Sequence, residues 1–432
     1  MAITDKSKGA DAPPPDLLAV IRNSGVLTDR QLEDIRGKML KGNYPFDSLE
    51  LAEKLVREKI LTSYQANRLL RNKPHGLAVG RYVILDRIGS GSMGRVYKAS
   101  HRLMGRVVAI KIVAPEIAGN ARIVARFQRE MKLVGRLDHP NVVRAYDADQ
   151  LGQILFIVME YVDGESLTQK LRAEGPLDPA DVVNYIAQAA RGLAHAHEMG
   201  IVHRDIKPSN LLIGKNQVVK LLDLGLSVLM EADQHSTFET ADGIAVGTVD
   251  YMSPEQACGK EVDGRSDLYS LGCAMYHLIS GRLPFQGDSP IERLGKRIAG
   301  LPTPIRQVRP DIPSNVVKVL DKLLATSRRD RYQTAREVAE TLEALLEKKP
   351  SRSIGETFED EIPSDEYVEG TSEYAQQLDV EDRPRPAGVA KPKWNGKIAA
   401  LIERAPWSAV AAVAGAIGVA FAAGVFVGKM FF

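Results

Sequence analysis

Residues 201–212 read Ile201-Val202-His203-Arg204-Asp205-Ile206-Lys207-Pro208-Ser209-Asn210-Leu211-Leu212 and carry the chemistry around which the rest of the sequence is organised. An apolar pair leads into the polar cluster and an apolar run leads out, the pattern of a short strand-flanked loop that presents several charged groups to one point. Asp205 can accept a proton, Lys207 can meet a phosphate, and Asn210 can hold a metal ion. The plainer alternative is a polar surface turn, and the neighbouring segments decide between the two.

A second carboxylate follows the apolar run Val218-Val219-Lys220-Leu221-Leu222, in Asp223-Leu224-Gly225. A carboxylate at a strand end suits a hard cation such as magnesium, which prefers oxygen ligands and keeps several waters. Upstream, Ile88-Gly89-Ser90-Gly91-Ser92-Met93-Gly94 gives a G-x-G-x-x-G run, whose glycines let backbone amides close over phosphates without a side chain in the way. Dinucleotide folds use the same spacing. Two features separate the readings. Val96-Tyr97-Lys98-Ala99 continues as a strand instead of opening a helix, and Val107-Val108-Ala109-Ile110-Lys111 adds a strand bearing a lysine. A helix is expected next, with Val124, Phe127, Met131 and Val134 on one face and Glu130 beside it. Lys111 needs a partner to fix its long side chain, so an ion pair with Glu130 is expected in place of a solvated glutamate.

The elements that must position these groups follow in order. Residues 1–15 are polar and end in Pro13-Pro14-Pro15, so a disordered lead with no secretory apolar core is expected. From 16 to 75 the apolar residues fall at helical spacing: Leu17, Val20, Ile21, then Leu32, Ile35, Met39, then Leu51, Leu55 and Leu61. Val26-Leu27-Thr28-x-x-Gln31 recurs as Ile60-Leu61-Thr62-x-x-Gln65, each threonine placed as a helix N-cap. Two copies do not make a solenoid. A small helical module of unknown role is expected, either a structural extension of the next domain or a partner-binding or regulatory unit. After Gly80 the texture turns to strand; His139–Val143 and Leu155–Met159 read as further strands, and Glu160–Gly164 as a connector between lobes. Helical periodicity ends near Glu347.

From 348 to 405 the composition shifts to an acidic linker, with Glu359-Asp360-Glu361 and Glu381-Asp382 repelling along the chain, and Lys391, Lys393, Lys397 and Arg404 gathered at its end. Residues 406–428 carry no charge. At ~1.5 Å per residue such a run spans the ~30 Å hydrocarbon core, so a single transmembrane helix is expected. The basic residues before it place the N-terminal bulk in the cytoplasm and the C-terminus outside, at an inner or cytoplasmic membrane. Gly424-x-x-x-Gly428 either seats a helix dimer or is incidental to an alanine-rich span. With Lys429–Phe432 alone beyond the span, any stimulus is expected to arrive on the inner side.

Composition is that of an ordinary globular chain: of 432 residues, 44% are apolar and 26% charged. The formal net charge of +2 gives no argument for nucleic acid as a partner. Two cysteines, Cys258 and Cys273, are too few for a disulfide framework, so a reducing compartment is the simpler reading.

Taken together and in this order, the motifs resemble the eukaryotic-like (Hanks-type) serine/threonine protein kinases of bacteria, over about Arg81 to Leu345. The resemblance implies an α+β, two-lobed protein kinase fold over 81–347, with ATP between a small sheet lobe and a larger helical lobe. By position, Gly89, Ser90, Gly91 and Gly94 would cover the phosphates. Lys111 would meet the α- and β-phosphates and pair with Glu130. Ile88, Val96, Ala109 and Leu212 would sandwich the adenine, with Met159 as gatekeeper and the backbones of Glu160 and Val162 on the adenine edge. The resemblance makes Asp205 the catalytic base and Lys207 the contact to the transferred phosphate. Asn210 and Asp223 would hold magnesium, or manganese in its place. Glu255 and Arg331 match the family's buried ion pair. Leu224 stands where phenylalanine is usual and Ser253 where alanine is usual; neither removes a functional group. Arg204 before Asp205 marks the type switched by phosphorylation in the loop from Glu231 to Asp242, with Thr237, Thr240 and Ser236 as candidate sites.

The expectation is a membrane-tethered protein serine/threonine kinase acting on protein substrates, with a homodimer through the kinase domain or the span left open. The alternatives are a pseudokinase scaffold, disfavoured because every catalytic position is filled, and a small-molecule kinase, disfavoured by the Gly247–Glu255 peptide-docking segment.

Overall fold

The computed structural model describes residues 16–91, 94–114, 121–224, 249–300 and 302–347. The lead at 1–15 that was expected to be disordered, Ser236, Thr237 and Thr240, the expected acidic linker and the expected span at 406–428 lie outside the described residues. Among the described residues no helix is long and apolar enough to cross a membrane.

Four short helices come first: α1 (Leu17–Ser24), α2 (Asp29–Leu40), α3 (Ser48–Arg57) and α4 (Ser63–Leu70). None would persist alone in water at these lengths, so they depend on mutual packing. Leu17, Ile21, Ile35, Leu51, Leu55 and Leu69 supply it, each at most 2% exposed, and Leu77 of the following segment joins the same core. Both predicted N-caps form as complete capping boxes, Thr28 with Gln31 and Thr62 with Gln65.

The smaller lobe is a six-stranded sheet in the order β1-β2-β3-β4-β6-β5, antiparallel throughout. Its strands are β1 (Ala78–Val79), β2 (Tyr82–Gly91), β3 (Gly94–His101), β4 (Val107–Val113), β5 (Ala145–Leu151) and β6 (Ile154–Glu160). The two-residue period of a strand sorts the side chains. Val108 and Ile110 of β4 with Phe156 and Val158 of β6 form an apolar layer on one face, against which Tyr64 of α4 packs. Ala109, Val113, Leu155, Ile157 and Met159 form the layer on the other face, with Phe127 of α5 (Ala121–Val134). The face of α5 expected from the sequence is the one that packs. His139–Val143, expected as a strand, is not one. His139 Nδ1 accepts from the Asn141 N–H (3.1 Å), bending the chain, and β5 starts only at Ala145.

The larger lobe is helical around α7 (Pro179–Glu198) and α9 (Gly264–Ser280), with α6 (Leu167–Glu174), α8 (Pro254–Ala257), α10 (Pro290–Ile298), α11 (Ile305–Val308), α12 (Ser314–Leu323) and α13 (Ala335–Glu347). A small antiparallel sheet of β7 (Glu165–Ser166), β8 (Leu211–Ile213) and β9 (Val219–Leu221) lies in the same lobe. Its inward residues Leu211, Ile213, Val219 and Leu221 belong to the core that α7 and α9 build.

Candidate active site

The loop 201–210 leaves α7 beyond Gly200, whose φ of 75° turns the chain. Ile201 and Ile206 are 4% and 1% exposed and are pinned in the helical core, so the polar residues between them have little freedom. The approach is buried irregular chain, where the sequence suggested a strand; Pro208–Asn210 form a single 3-10 turn that runs into β8. Arg204 (φ 65°) and Asp223 (φ 61°) both take left-handed backbone, a cost that non-glycine residues bear only where the surroundings hold them there.

What holds Arg204 is largely one residue. Asp267, on the first turn of α9 and wholly buried, accepts from the backbone N–H of His203 (2.8 Å) and of Arg204 (2.7 Å) and contacts His197 Nε2 (2.8 Å). Gln256 of α8 donates to the Arg204 carbonyl (2.9 Å). The His203 ring reaches the Leu222 carbonyl (2.7 Å), which ties the loop to the chain entering Asp223. Nothing local in the sequence marks Asp267 for this part. A buried carboxylate with several N–H donors is visible only once the fold brings residues 63 and 64 positions apart into contact.

Within this frame the predicted groups converge. Asn210 donates to the Asp205 carbonyl (2.7 Å) and to Asp205 Oδ2 (3.1 Å), which aims the carboxylate. Lys207 Nζ stands 2.8 Å from Asp205 Oδ2. Lys111 Nζ stands 2.7 Å from Asp223 Oδ2, with the lysine 6% and the aspartate 28% exposed. The expected Lys111–Glu130 pair is absent; Glu130 lies on α5, half-buried, and the lysine has taken the carboxylate of the other lobe. In this arrangement Lys111 bridges the two lobes where the resemblance implied a bond within one.

Lys111 shares its strand face with Ala109 and lies opposite Val96 of β3 and Ile157 of β6. Val96, Ala109 and Leu212 are inward-facing or half-buried, whereas Ile88 is 46% exposed at the rim. Gly89, Ser90 and Gly91 form the end of β2 and Gly94 opens β3; Gly94 has φ 138°, and a Cβ there would stand 1.9 Å from the Ile112 carbonyl, so only glycine fits. At the end of β6 the Glu160 N–H is donated to the Arg144 carbonyl (2.9 Å), and its carboxylate pairs with Lys220 of β9 (3.0 Å), a link between lobes that the sequence did not signal. Val162 is half-buried in the connector.

Further out, Glu255 and Arg331 form the expected buried pair through two bonds of 2.8 and 2.9 Å, with side chains 5% and 0% exposed. Burial alone would raise the Glu255 carboxyl, but hydrogen bonds from Arg331 and Ser266 and the Arg331 charge outweigh it and hold it below its ordinary value. Ser253, where alanine was usual, is fully buried and caps α8 by accepting from the Gln256 N–H. Leu224 is 4% exposed in the helical core, so leucine does fill the apolar slot.

Residues 82–343 match the family described as protein kinase domain. Among curated proteins the chain is similar to serine/threonine-protein kinase pkn2 of Myxococcus xanthus, 40% identical over 61% of this chain and 32% of that protein. It is also similar to serine/threonine-protein kinase PrkC of Bacillus subtilis, 38% identical over 60% of this chain and 39% of that protein. Serine/threonine-protein kinase PknB of Mycolicibacterium smegmatis is 37% identical over 60% and 42%. The chain therefore spans well under half of the length of these relatives. Among solved structures, the Mycobacterium tuberculosis PknI kinase domain superposes with a TM-score of 0.50 at 29% identity, covering 62% of this chain and 98% of that one.

Proposed function

The chain belongs to the protein kinase domain family, and from that premise we propose that it transfers the γ-phosphate of ATP to serine or threonine hydroxyls of protein substrates. The observation that carries this reading is that Asp205, Lys207 and Asn210 meet in one loop, which is tied through His203 and Asn210 to Leu222, next to the Asp223 that pairs with Lys111 of β4.

The residues present suit ATP and a divalent cation. Asn210 and Asp223 offer one amide and one carboxylate oxygen donor set, which leaves positions for phosphate oxygens and water as magnesium prefers. Bound magnesium would neutralise charge developing on the phosphates. In the proposed site Lys111 and Lys207, now on carboxylates, supply positive charge to the α/β and the transferred phosphates respectively. Asp205, aimed by Asn210, accepts the proton of the attacking hydroxyl. Val96, Ala109 and Leu212 give an apolar slot for adenine with Ile88 at its rim. Glu160 has committed its N–H to Arg144, so its carbonyl is the backbone group that it offers to the adenine edge, beside Val162. Gly89, Ser90, Gly91 and Gly94 cover the phosphates.

Catalysis on this account is mostly positioning and charge stabilisation. Activation-loop phosphorylation at Thr237, Thr240 or Ser236, tethering by 406–428 with the catalytic part in the cytoplasm, and pairing of two copies through the span or the kinase domain extend the proposal on sequence grounds alone. A scaffold without transfer would be favoured by an empty catalytic position, and each of the described positions is filled. The reading is tested by incubating the purified chain with Mg-ATP and a protein acceptor. Transfer to serine or threonine supports it; nucleotide binding without transfer to itself or to the acceptor supports the scaffold.

A further inference from the structure

The internal echo in the helical module is used differently by its two copies. In the first, Thr28 and Gln31 are exposed and, among the described residues, their side chains bond only within the box: Thr28 N–H to Gln31 Oε1 (2.9 Å) and Gln31 N–H to Thr28 Oγ1 (3.3 Å). In the second, Thr62 and Gln65 close the same box (2.8 and 3.2 Å) and then reach beyond it. Thr62 Oγ1 donates to the Leu85 carbonyl (2.6 Å), and Gln65 Nε2, on a residue 2% exposed, donates to the Ile84 carbonyl (2.7 Å).

These two carbonyls sit at a break in β2. The ladder with β3 pairs Ile84 with Ala99 and then Asp86 with Lys98, so Leu85 has no partner across the strand. A bulge of this kind disrupts the ladder locally and bends the strand. Here the cap residues of α4 supply donors at that point. Tyr64 of the same helix packs its ring 6.5 Å from that of Tyr97, which lies opposite Arg87 in the same hairpin. Helix α4 thus grips both strands of the hairpin whose tip is Gly89–Gly94. A third tie, from the Arg102 guanidinium at the end of β3 to the Gly25 carbonyl, anchors the module at the other end of the hairpin.

We propose that Thr62 and Gln65 are positioning residues for the nucleotide: through them the helical module braces the β2 bulge and holds the glycine-rich hairpin in the register that its amides need over the phosphates. This rests on the kinase reading of the site. It gives residues 16–75 a part in the catalytic unit, as a means by which anything that displaces the module lowers affinity for ATP. The physical basis is that an orphaned buried carbonyl is costly, so without its donor the bulge shifts or admits water. A hairpin that is no longer pre-organised must be ordered by the ligand at the ligand's expense.

The echo provides its own control. In the full chain, Gln65→Met removes the donor to Ile84 together with one capping bond, while Gln31→Met removes the equivalent capping bond away from the sheet. Gln65→Glu, which keeps the capping acceptor and loses the amide donor, serves if the first variant does not fold. The readouts are affinity for Mg-ATP, kcat at saturating ATP, and amide exchange in residues 82–97. Gln65→Met is expected to weaken Mg-ATP about tenfold, the scale of one hydrogen bond, to leave kcat within about twofold, and to speed exchange across the hairpin. Gln31→Met is expected to move none of these. Unchanged nucleotide affinity in a folded Gln65 variant, or equal changes in both variants, overturns the brace. Faster hairpin exchange in a chain that transfers no phosphate even as wild type would sink the kinase reading and leave the mechanical contact standing.

Discussion

Lys111 Nζ is 2.7 Å from Asp223 Oδ2, and this pair, not one with Glu130, is what fixes the buried lysine. It ties a strand of the smaller lobe to the chain leaving β9. A metal drawn to Asp223 and phosphates drawn to Lys111 would both compete with it, so ligand binding and a shift of α5 toward Lys111 are coupled on this account. Glu130→Gln is therefore expected to leave the unfolding free energy of the unliganded chain within ~0.5 kcal/mol, as at a site with no partner to lose. Phosphate transfer should fall at least ~10-fold, because kinases require the lysine–glutamate pair in the working state. Denaturant unfolding and steady-state kinetics on the one variant separate the two effects.

Asp267 is wholly buried and holds the backbone of the proposed catalytic loop at His203 and Arg204. Asp267→Asn keeps the shape but turns an amide toward backbone N–H groups. The expected result is a loss in kcat on the order of 10²-fold, the scale of a small misplacement of reacting groups. Affinity for ATP, measured by titration, should change far less, since the adenine slot and glycine hairpin belong to other elements.

Glu255 and Arg331 should cost more in folding than in chemistry. Removing one partner leaves the other charge buried, at a cost of ~3–5 kcal/mol. Arg331→Met is expected to lower the urea midpoint and the soluble yield sharply, whereas replacing both partners with apolar residues should recover much of the loss. A double-mutant cycle on unfolding measures this.

The groups proposed for the chemistry were legible where they are local in the chain. Asp205, Lys207 and Asn210 fall within one loop, and the apolar residues around them announce how that loop is anchored. Both capping boxes were readable for the same reason, since an N-cap and its N3 partner are three positions apart. What was not legible depends on the fold or on its state. Asp267 and Gln256 act on residues more than fifty positions away. The second use of Thr62 and Gln65 depends on a bulge in a strand that no periodicity marks. His139–Val143 looks extended by composition, but its Asn141 side chain bonds to the Val219 carbonyl (2.9 Å) and to Gln188 (3.2 Å), contacts that a regular strand would not offer. The Lys111–Glu130 expectation failed because the fold brings a second carboxylate, Asp223, within 2.7 Å of the lysine, a contact that no local spacing marks.

Acid should destabilise the larger lobe in a defined window. Asp263 caps α9, and hydrogen bonds from Arg265, with the Arg265 and Arg328 charges, lower its carboxyl from 3.8 to about 2 against some opposing burial. Its folded pKa lies below the unfolded one, so its contribution is present above about pH 4 and is lost as the pH falls toward 2. Glu255, lowered from 4.5, acts in the same direction. The stability gap between wild type and Asp263→Asn, read from urea midpoints, should be open near neutral pH and close as the pH drops through that range.

The most direct test of the central claim is γ-phosphate transfer from Mg-ATP by the purified chain beside Asp205→Asn, with modified residues located by mass spectrometry. The account predicts phosphate on serine or threonine in wild type, Thr237, Thr240 and Ser236 among them, and transfer slowed ~10²–10⁴-fold by the substitution. Equal transfer by both proteins, or nucleotide binding with no transfer by either, would contradict it.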